Sequence, residues 1–125
     1  MITAFGMQCA GPDALTGSLS GGNLQKFIIG REILQQPGAL VVAQPTWGLD
    51  AAAVATVQQS LIDLARNGCA VVIISQDLDE LLALSDCIAV IHGGRLSAPQ
   101  PTDALSVDAI GLMMGGVVGD QEVAP

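Results

Sequence analysis

The sequence predicts an α/β layered domain with a mainly parallel sheet. Three short, unbroken apolar runs carry that reading, at residues 39–43, 69–74 and 87–91. Runs of this length, rich in Val and Ile and bounded by turn residues, fit strands buried on both faces. Segments with helical spacing alternate with them. Strands that alternate with helices imply parallel pairing through right-handed crossovers.

Each element has its own signals. Residues 1–17 show little periodicity, and Gly11-Pro12-Asp13 reads as a turn. Ser20 is a good N-cap for a first helix. Leu24, Phe27, Ile28 and Leu34 give that helix one apolar face, and Pro37-Gly38 ends it. Gly30 sits inside it at some cost in propensity. The first apolar run follows. Asp50 then caps a second helix with Val54, Val57, Leu61 and Leu64 at helical spacing and Asn67-Gly68 as the stop. After the second run, Asp77 and Glu80 form an acidic version of the capping box ahead of Leu81, Leu82 and Leu84. His92-Gly93-Gly94-Arg95 after the third run predicts a hairpin turn into a short strand at Leu96-Ser97. Ser106 caps a last helix through Met114, ended by Gly115-Gly116, and Gly119 to Pro125 is expected to fray.

Composition narrows the function. The chain has 125 residues, enough for one modest domain, and half of them are apolar. Phe5, Phe27 and Trp47 are the whole aromatic content, so the core is aliphatic. Net charge is −8, and the four basic residues, Lys26, Arg31, Arg66 and Arg95, are scattered. A nucleic-acid surface needs clustered cations, as does an anionic lipid surface, so neither partner is expected. No apolar run reaches the ~18–20 residues of a membrane helix. Met1-Ile2-Thr3-Ala4 carries no basic region of a signal peptide. Cys9, Cys69 and Cys87 are widely spaced, with no CxxC pair, and read as free thiols rather than metal ligands. No metal site is expected.

The most specific signal is Leu19-Ser20-Gly21-Gly22-Asn23, followed by Gln25-Lys26. Two glycines let backbone N–H groups approach an anion closely, at the positive end of a helix. Ser20 adds a hydroxyl, and Asn23 and Gln25 add amides. Alone, this is equally a Ser-capped helix after a Gly turn. The context is richer: an apolar strand, then Gln44-Pro45-Thr46, then Gly48-Leu49-Asp50, then a second strand ending at Ser75-Gln76-Asp77.

In that order and spacing the set resembles the ABC ATPase family, from about Leu19 to Arg95. Leu19 to Asn23 matches its signature, Leu40 to Gln44 its Walker B strand, and Trp47 to Asp50 its D-loop; Gln76 falls at the switch-histidine position. Asn-x-Gln-Lys after the glycines, with residues 43–50, resembles the second of two tandem cassettes in bacterial simple-sugar and nucleoside importers. The run Gly111 to Gly115 resembles the end of that cassette. Leu24 stands where Gln is usual, and Trp47 where Arg is usual. Trp47 is either a partner contact or a partly buried strand-end residue.

The resemblance implies a partial P-loop NTPase-like fold whose Walker A strand is missing. Residues 1–18 would be a remnant of an upstream or helical subdomain, 19–98 the C-terminal part of the ATPase domain, and 99–125 a C-terminal helix and tail. There is no GxxxxGK[ST] in the chain, and the only lysine is Lys26. The residue expected to serve Mg²⁺ is Ala43, the catalytic Glu position is Gln44, and the switch position is Gln76. A methyl cannot hold a hard cation, and an amide is a poor general base, whose loss typically costs ~10²–10⁴ in rate. The chain is therefore expected not to hydrolyse ATP by itself.

What the resemblance leaves is a role across an interface. In the family, two cassettes sandwich ATP head to tail. Ser20, Gly21, Gly22, Asn23 and Gln25 would contact nucleotide held, with Mg²⁺, mainly by the partner cassette. Gly48, Leu49 and Asp50 would lie at the interface. A membrane permease subunit is the other implied partner, with the chain at the cytoplasmic face of the plasma membrane. The competing reading is a truncated, non-catalytic remnant, or a pseudo-cassette that only binds. DNA-maintenance ATPases share the signature, but their heptad arms and basic surfaces are not seen here. In the related P-loop ATPases the Walker A strand lies between the strands equivalent to 69–74 and 87–91. Without it those strands are expected to leave a gap or to pair directly, and open apolar edges are aggregation templates.

Overall fold

The computed structural model describes residues 3–117. They fall into two compact units, one ending at Gln76 and one beginning at Asp77. The motif-based boundaries after residues 18 and 98 divide the chain by chemistry, and these units divide it by packing.

The first unit contains α1 (Gly21–Leu34), β1 (Ala39–Ala43), α2 (Ala51–Arg66) and β2 (Ala70–Ile74). Ser20 starts α1, its Oγ accepting from the Asn23 N–H. Asp50 starts α2, its Oδ1 accepting from the Ala53 N–H at 2.9 Å. The end of α2 is a Schellman motif. Gly68, at φ +97°, donates to the Ala65 carbonyl, and Cys69 donates to the Leu64 carbonyl. β1 and β2 pair in parallel, with Leu40 opposite Val71 and Val42 opposite Ile73. These four residues pack with Ile29 and Ile33 of α1 and Val57, Leu61 and Leu64 of α2. Fully burying a Val or Leu side chain contributes about 1.5–3 kcal/mol, so this aliphatic seam is the main cohesion of the unit.

Two expectations are corrected here. The apolar face of α1 is not the one the spacing suggested. Leu24, Ile28 and Leu34 are exposed and Phe27 is half-buried, whereas Ile29 and Gly30 are buried. The helix is apolar on more than one side, so periodicity cannot choose its inner face; docking on β1 and α2 chooses it. The strands, too, are buried on one face only. Ala39, Val41 and Ala43 of β1 and Ala70, Val72 and Ile74 of β2 are all exposed. An unbroken apolar run fits two covered faces, but among the described residues only α1 and α2 supply a cover.

The second unit contains α3 (Leu78–Leu84), β3 (Cys87–Ile88), β4 (Ile91–His92), β5 (Arg95–Leu96), β6 (Gln100–Pro101) and α4 (Val107–Met114). Asp77 and Ser106 cap the two helices as expected. Ile88, Val90 and Ile110 form its core, joined by Leu78, Leu81, Leu82, Leu105 and Met113. The hairpin is also as expected: Gly93 and Gly94 have φ of +55° and +76°, the two positive angles of a type I′ turn. His92 closes β4, and its Nδ1 lies 2.8 Å from the Met114 carbonyl oxygen.

The third predicted strand does not hold. Residues 87–91 divide into β3, antiparallel to β6, and β4, antiparallel to β5. Among the described residues the parallel sheet has two strands, and each keeps an open edge. Of the two expected outcomes, direct pairing does not occur among the described residues. With no parallel neighbour, the backbone groups of 87–91 pair locally with the chain that follows. The expected frayed tail at 119–125 lies outside the described residues.

Candidate functional site

The start of α1 and the loop after β1 meet beyond the carboxyl end of β1, where open α/β sheets place ligands. A cleft of about 220 Å³ opens there, lined by Gln8, Ser20, Gly22, Asn23, Lys26, Gly48, Leu49 and Asp50. Two segments far apart in sequence thus become two walls: the start of α1, and the loop between β1 and α2.

The α1 wall is built around Ser20 and Asn23. Ser20 Oγ accepts from the Asn23 backbone N–H at 3.4 Å and from its Nδ2 at 3.0 Å. Both acceptor sites of the hydroxyl are thereby used, which leaves its hydrogen as the group to donate outward. Asn23 Oδ1 accepts from the Gln8 N–H at 2.9 Å, so the amide is fixed at both ends. A Cβ at Gly21 would meet nothing within 4 Å, and one at Gly22 would make ordinary contact with the Gly48 carbonyl oxygen and Leu49. Neither glycine is required by internal packing. What the pair provides is bare backbone at a helix N-terminus.

The second wall is a loop under close control. β1 ends as Gln44 takes a left-handed φ of +50°, uncommon for a residue with a side chain. Its N–H donates to the Ile74 carbonyl at 2.7 Å, and its own carbonyl accepts from the Trp47 N–H at 3.2 Å. Gln25 holds the same segment, its Nε2 donating to the carbonyls of Gln44 at 3.1 Å and Pro45 at 3.2 Å. Pro45 is fully buried. Gly48 at φ +75° turns the chain into the Asp50 cap.

Charge in the cleft is mixed. The Ala53 N–H holds the Asp50 carboxyl below the usual carboxylate range; some loss of hydration opposes this, and Lys26 and the Ala52 N–H add to it. Lys26 Nζ donates to the Gly6 carbonyl at 3.2 Å. An anion would therefore be favoured at the Ser20–Asn23 end and disfavoured beside Asp50.

The sequence-derived residues divide into two groups. Ser20, Gly22, Asn23, Gly48, Leu49 and Asp50 line one cleft. Gly21 stands beside it, and Gln25 spends its amide on the loop. Ala43, Gln44 and Gln76 are outside the lining. Ala43 sits opposite Ile74 in the ladder, and Gln76 follows two residues later. Lys26 and Gln8 were missed as cleft residues. Lys26 lies four residues beyond Gly22, one helical turn along the same face, which is a readable signal. Gln8 contributes through its backbone and leaves no signal.

The residues present fit a phosphate-bearing ligand at the α1 end. They do not fit a bound Mg²⁺: Ala43 offers no oxygen, and among the described residues no three His, Cys, Asp or Glu side chains come together.

No protein-family model matches the chain. The chain is 42% identical over 104 residues to the glucose import ATP-binding protein of Haloferax volcanii, covering 83% of this chain and 19% of that one. It is 41% identical over 116 residues to the nucleoside import ATP-binding protein of Lactococcus lactis, covering 93% and 23%. It is 43% identical over 118 residues to the guanosine import ATP-binding protein of Bacillus subtilis, again covering 93% and 23%. The fold agrees. An ATP-binding subunit of an ABC transporter superimposes with a TM-score of 0.75 at 20% identity, over 82% of this chain and 46% of that one.

The chain belongs to the ABC ATPase family.

Another solved ABC ATPase, a dimeric cassette in a post-hydrolysis state bound to ADP and Pi, superimposes with a TM-score of 0.70 at 22% identity, over 81% of this chain and 44% of that one. The ABC chain described here spans only about a fifth of the length of the curated relatives it matches, 19% to 23% for these three. Among its described residues no helix is long and apolar enough to cross a membrane.

Proposed function

We propose that this chain is the signature-bearing part of an importer's second cassette, and that it completes an ATP site whose phosphates are held by a partner cassette. The observation that carries this is the bare helix start at Gly21 and Gly22. Two glycines that packing does not require stand beside a Ser20 hydroxyl with its hydrogen left to donate. Such a surface lets a phosphate held by another surface approach closely. Ser20 donates to it, the α1 N-terminus stabilises its charge, and Lys26 adds a positive field. Asn23 keeps Ser20 oriented, and Gln25 keeps the D-loop wall in place. Gly48, Leu49 and Asp50 form the neighbouring contact. ATP and Mg²⁺ would be bound mainly by the partner.

The chain's own half-site is inactive in this reading. Ala43 cannot serve a metal, Gln44 cannot take a proton from water, and Gln76 cannot exchange one. The importer would then work asymmetrically, with one competent site and one degenerate one. The cargo class is a simple sugar or nucleoside, by kinship with the relatives above. A permease would anchor the assembly, with this chain at the cytoplasmic face of the membrane.

The test is ATPase activity of this chain mixed with an intact first cassette of the family. Activity should rise only in the mixture and fall to the level of the cassette alone with Ser20→Arg. An inert mixture, with no binding between the two, would favour the remnant that does not take part in catalysis.

A further inference from the structure

Residues 5–8 lie ahead of the signature and have no part in the proposed function, yet they are fastened to α1 at three points. Phe5 is buried with its ring over Gly30, where a Cβ would come within 2.9 Å of Cδ2. The mid-helix glycine is thus the seat of that ring. The Gly6 carbonyl accepts from Lys26 Nζ at 3.2 Å. Met7 is buried, and the Gln8 N–H donates to Asn23 Oδ1 at 2.9 Å. Positions 23, 26 and 30 are three and four apart, so a single face of α1 carries all three attachments. The segment runs along that face against the helix direction.

The Gln8 bond decides a direction inside the cleft. A backbone N–H can only donate, so it selects the oxygen of the Asn23 amide and turns Nδ2 toward Ser20. Ser20 Oγ accepts from that Nδ2 at 3.0 Å and from the Asn23 N–H at 3.4 Å. Half a turn of the amide exchanges its oxygen and nitrogen with almost no change of shape. In that orientation Oδ1 faces Ser20, and the hydroxyl donates inward to it. A phosphate would then meet a lone pair instead of a hydrogen. The Gln8 N–H opposes the turn, because it would be left facing Nδ2, donor against donor. The polar ties of the segment, from Gln8 to Asn23 and from Lys26 to Gly6, are exposed. A segment held to the surface by such bonds lifts by local opening, without unfolding of the unit.

We infer that residues 5–8 are a strap that switches the polarity of Ser20. Seated, the strap holds the hydroxyl as an outward donor. Lifted, it lets the Asn23 amide turn, and the donor is lost while Lys26 is released from Gly6. This rests on the reading that Ser20 meets a phosphate held by a second cassette. Phe5 and Gly30 anchor the strap, and Gln8 and Asn23 are positioning residues that act through Ser20. Control of the site thus enters through the chain ahead of the signature, with no movement of the glycines themselves.

The test replaces the peptide bond before Gln8 by an ester, which removes that N–H and keeps every side chain. The full chain is mixed with an intact first cassette of the family and ATP. In the ester variant kcat of the stimulated ATPase should fall about tenfold or more, the scale of one lost hydrogen bond to a charged group. The concentration of chain that gives half-maximal stimulation should change little. In a Ser20→Ala background the ester should have no further effect, because the hydroxyl it acts through is gone. Asn23→Asp still accepts from Gln8 and suits the first turn of α1, so its urea midpoint should hold or rise. It can only accept from Ser20, so stimulation should be lost. Stimulation left intact by the ester would overturn the inference and leave the proposed function standing. An equal loss with and without the Ser20 hydroxyl would do the same, since it would show a merely structural strap. No stimulation by the unsubstituted chain would overturn both. Should the ester variant fail to fold, hydrogen exchange of the unsubstituted chain still decides: the Gln8 N–H should be protected, and free exchange there would overturn the strap.

Discussion

Gly30→Ala should destabilise the first unit although it replaces glycine in the middle of a helix. By propensity alone the change should help: Ala is favoured over Gly in a helix interior by about 0.8–1 kcal/mol. The new Cβ, however, would lie 2.9 Å from Phe5 Cδ2 and 3.0 Å from its Cε2. Carbon atoms in contact sit about 3.5–4.0 Å apart, so the ring must retreat by more than about half an ångström. Phe5 is buried, and overpacking a filled site costs about 1–3 kcal/mol. The difference predicts a net loss of up to about 2 kcal/mol. It also predicts a local consequence. Phe5 sits three residues before Gln8, whose N–H bonds Asn23 in the cleft, so that amide should exchange faster in the variant. Urea unfolding with hydrogen exchange measures both effects. Phe5→Ala alone should destabilise, and Gly30→Ala added to it should stabilise, because the methyl then enters vacated space. A higher urea midpoint for Gly30→Ala alone would refute the packing argument and leave propensity in charge.

Other expectations follow from the same physics. The open sheet face makes the chain marginally stable and aggregation-prone without a cover. Val41→Lys and Val72→Lys, at positions 65% and 53% exposed, should raise the soluble fraction, read by sedimentation, while shifting the urea midpoint little. Asp50 has a lowered folded-state pKa, so its contribution to stability is fully present above its usual value of 3.8 and disappears as the pH falls through the lower folded value. Asp50→Asn should therefore flatten that acid limb of unfolding below about pH 4. Gly116→Ala should destabilise the second unit, because φ is +85° and a Cβ would come within 2.6 Å of His92 Nε2. A thermal melt should show the loss, and Gly115→Ala, at an ordinary helical φ, should cost less.

Much of the fold was readable because its signals are local. Ser20, Asp50, Asp77 and Ser106 each sit where a short side chain satisfies a helix N–H, and each caps a helix in the structure. The glycine pair 93–94 can form a tight hairpin whatever surrounds it. What failed depends on distant neighbours. The apolar run 87–91 looks like any buried strand, but its pairing is decided by which strands are available, and those available are 95–96 and 100–101. The inner face of α1 was unreadable for a similar reason: Leu24, Ile28, Ile29 and Ile33 are all apolar, and only docking selects Ile29 and Ile33. In the cleft, motif order placed Ser20, Gly22, Asn23 and Asp50 together. The internal use of Gln25 could not be seen, because an amide that holds a loop and one that meets a ligand look the same in sequence.

Gln25 has a mechanical consequence. Its two bonds fasten α1 to the loop after β1. The two walls of the cleft are thus braced at a set separation. A ligand arriving there meets one stiff jaw rather than two fingers that can close independently. Any opening or closing around it must come from displacement of the whole braced body, and a push on α1 is delivered undiminished to the loop that carries Trp47.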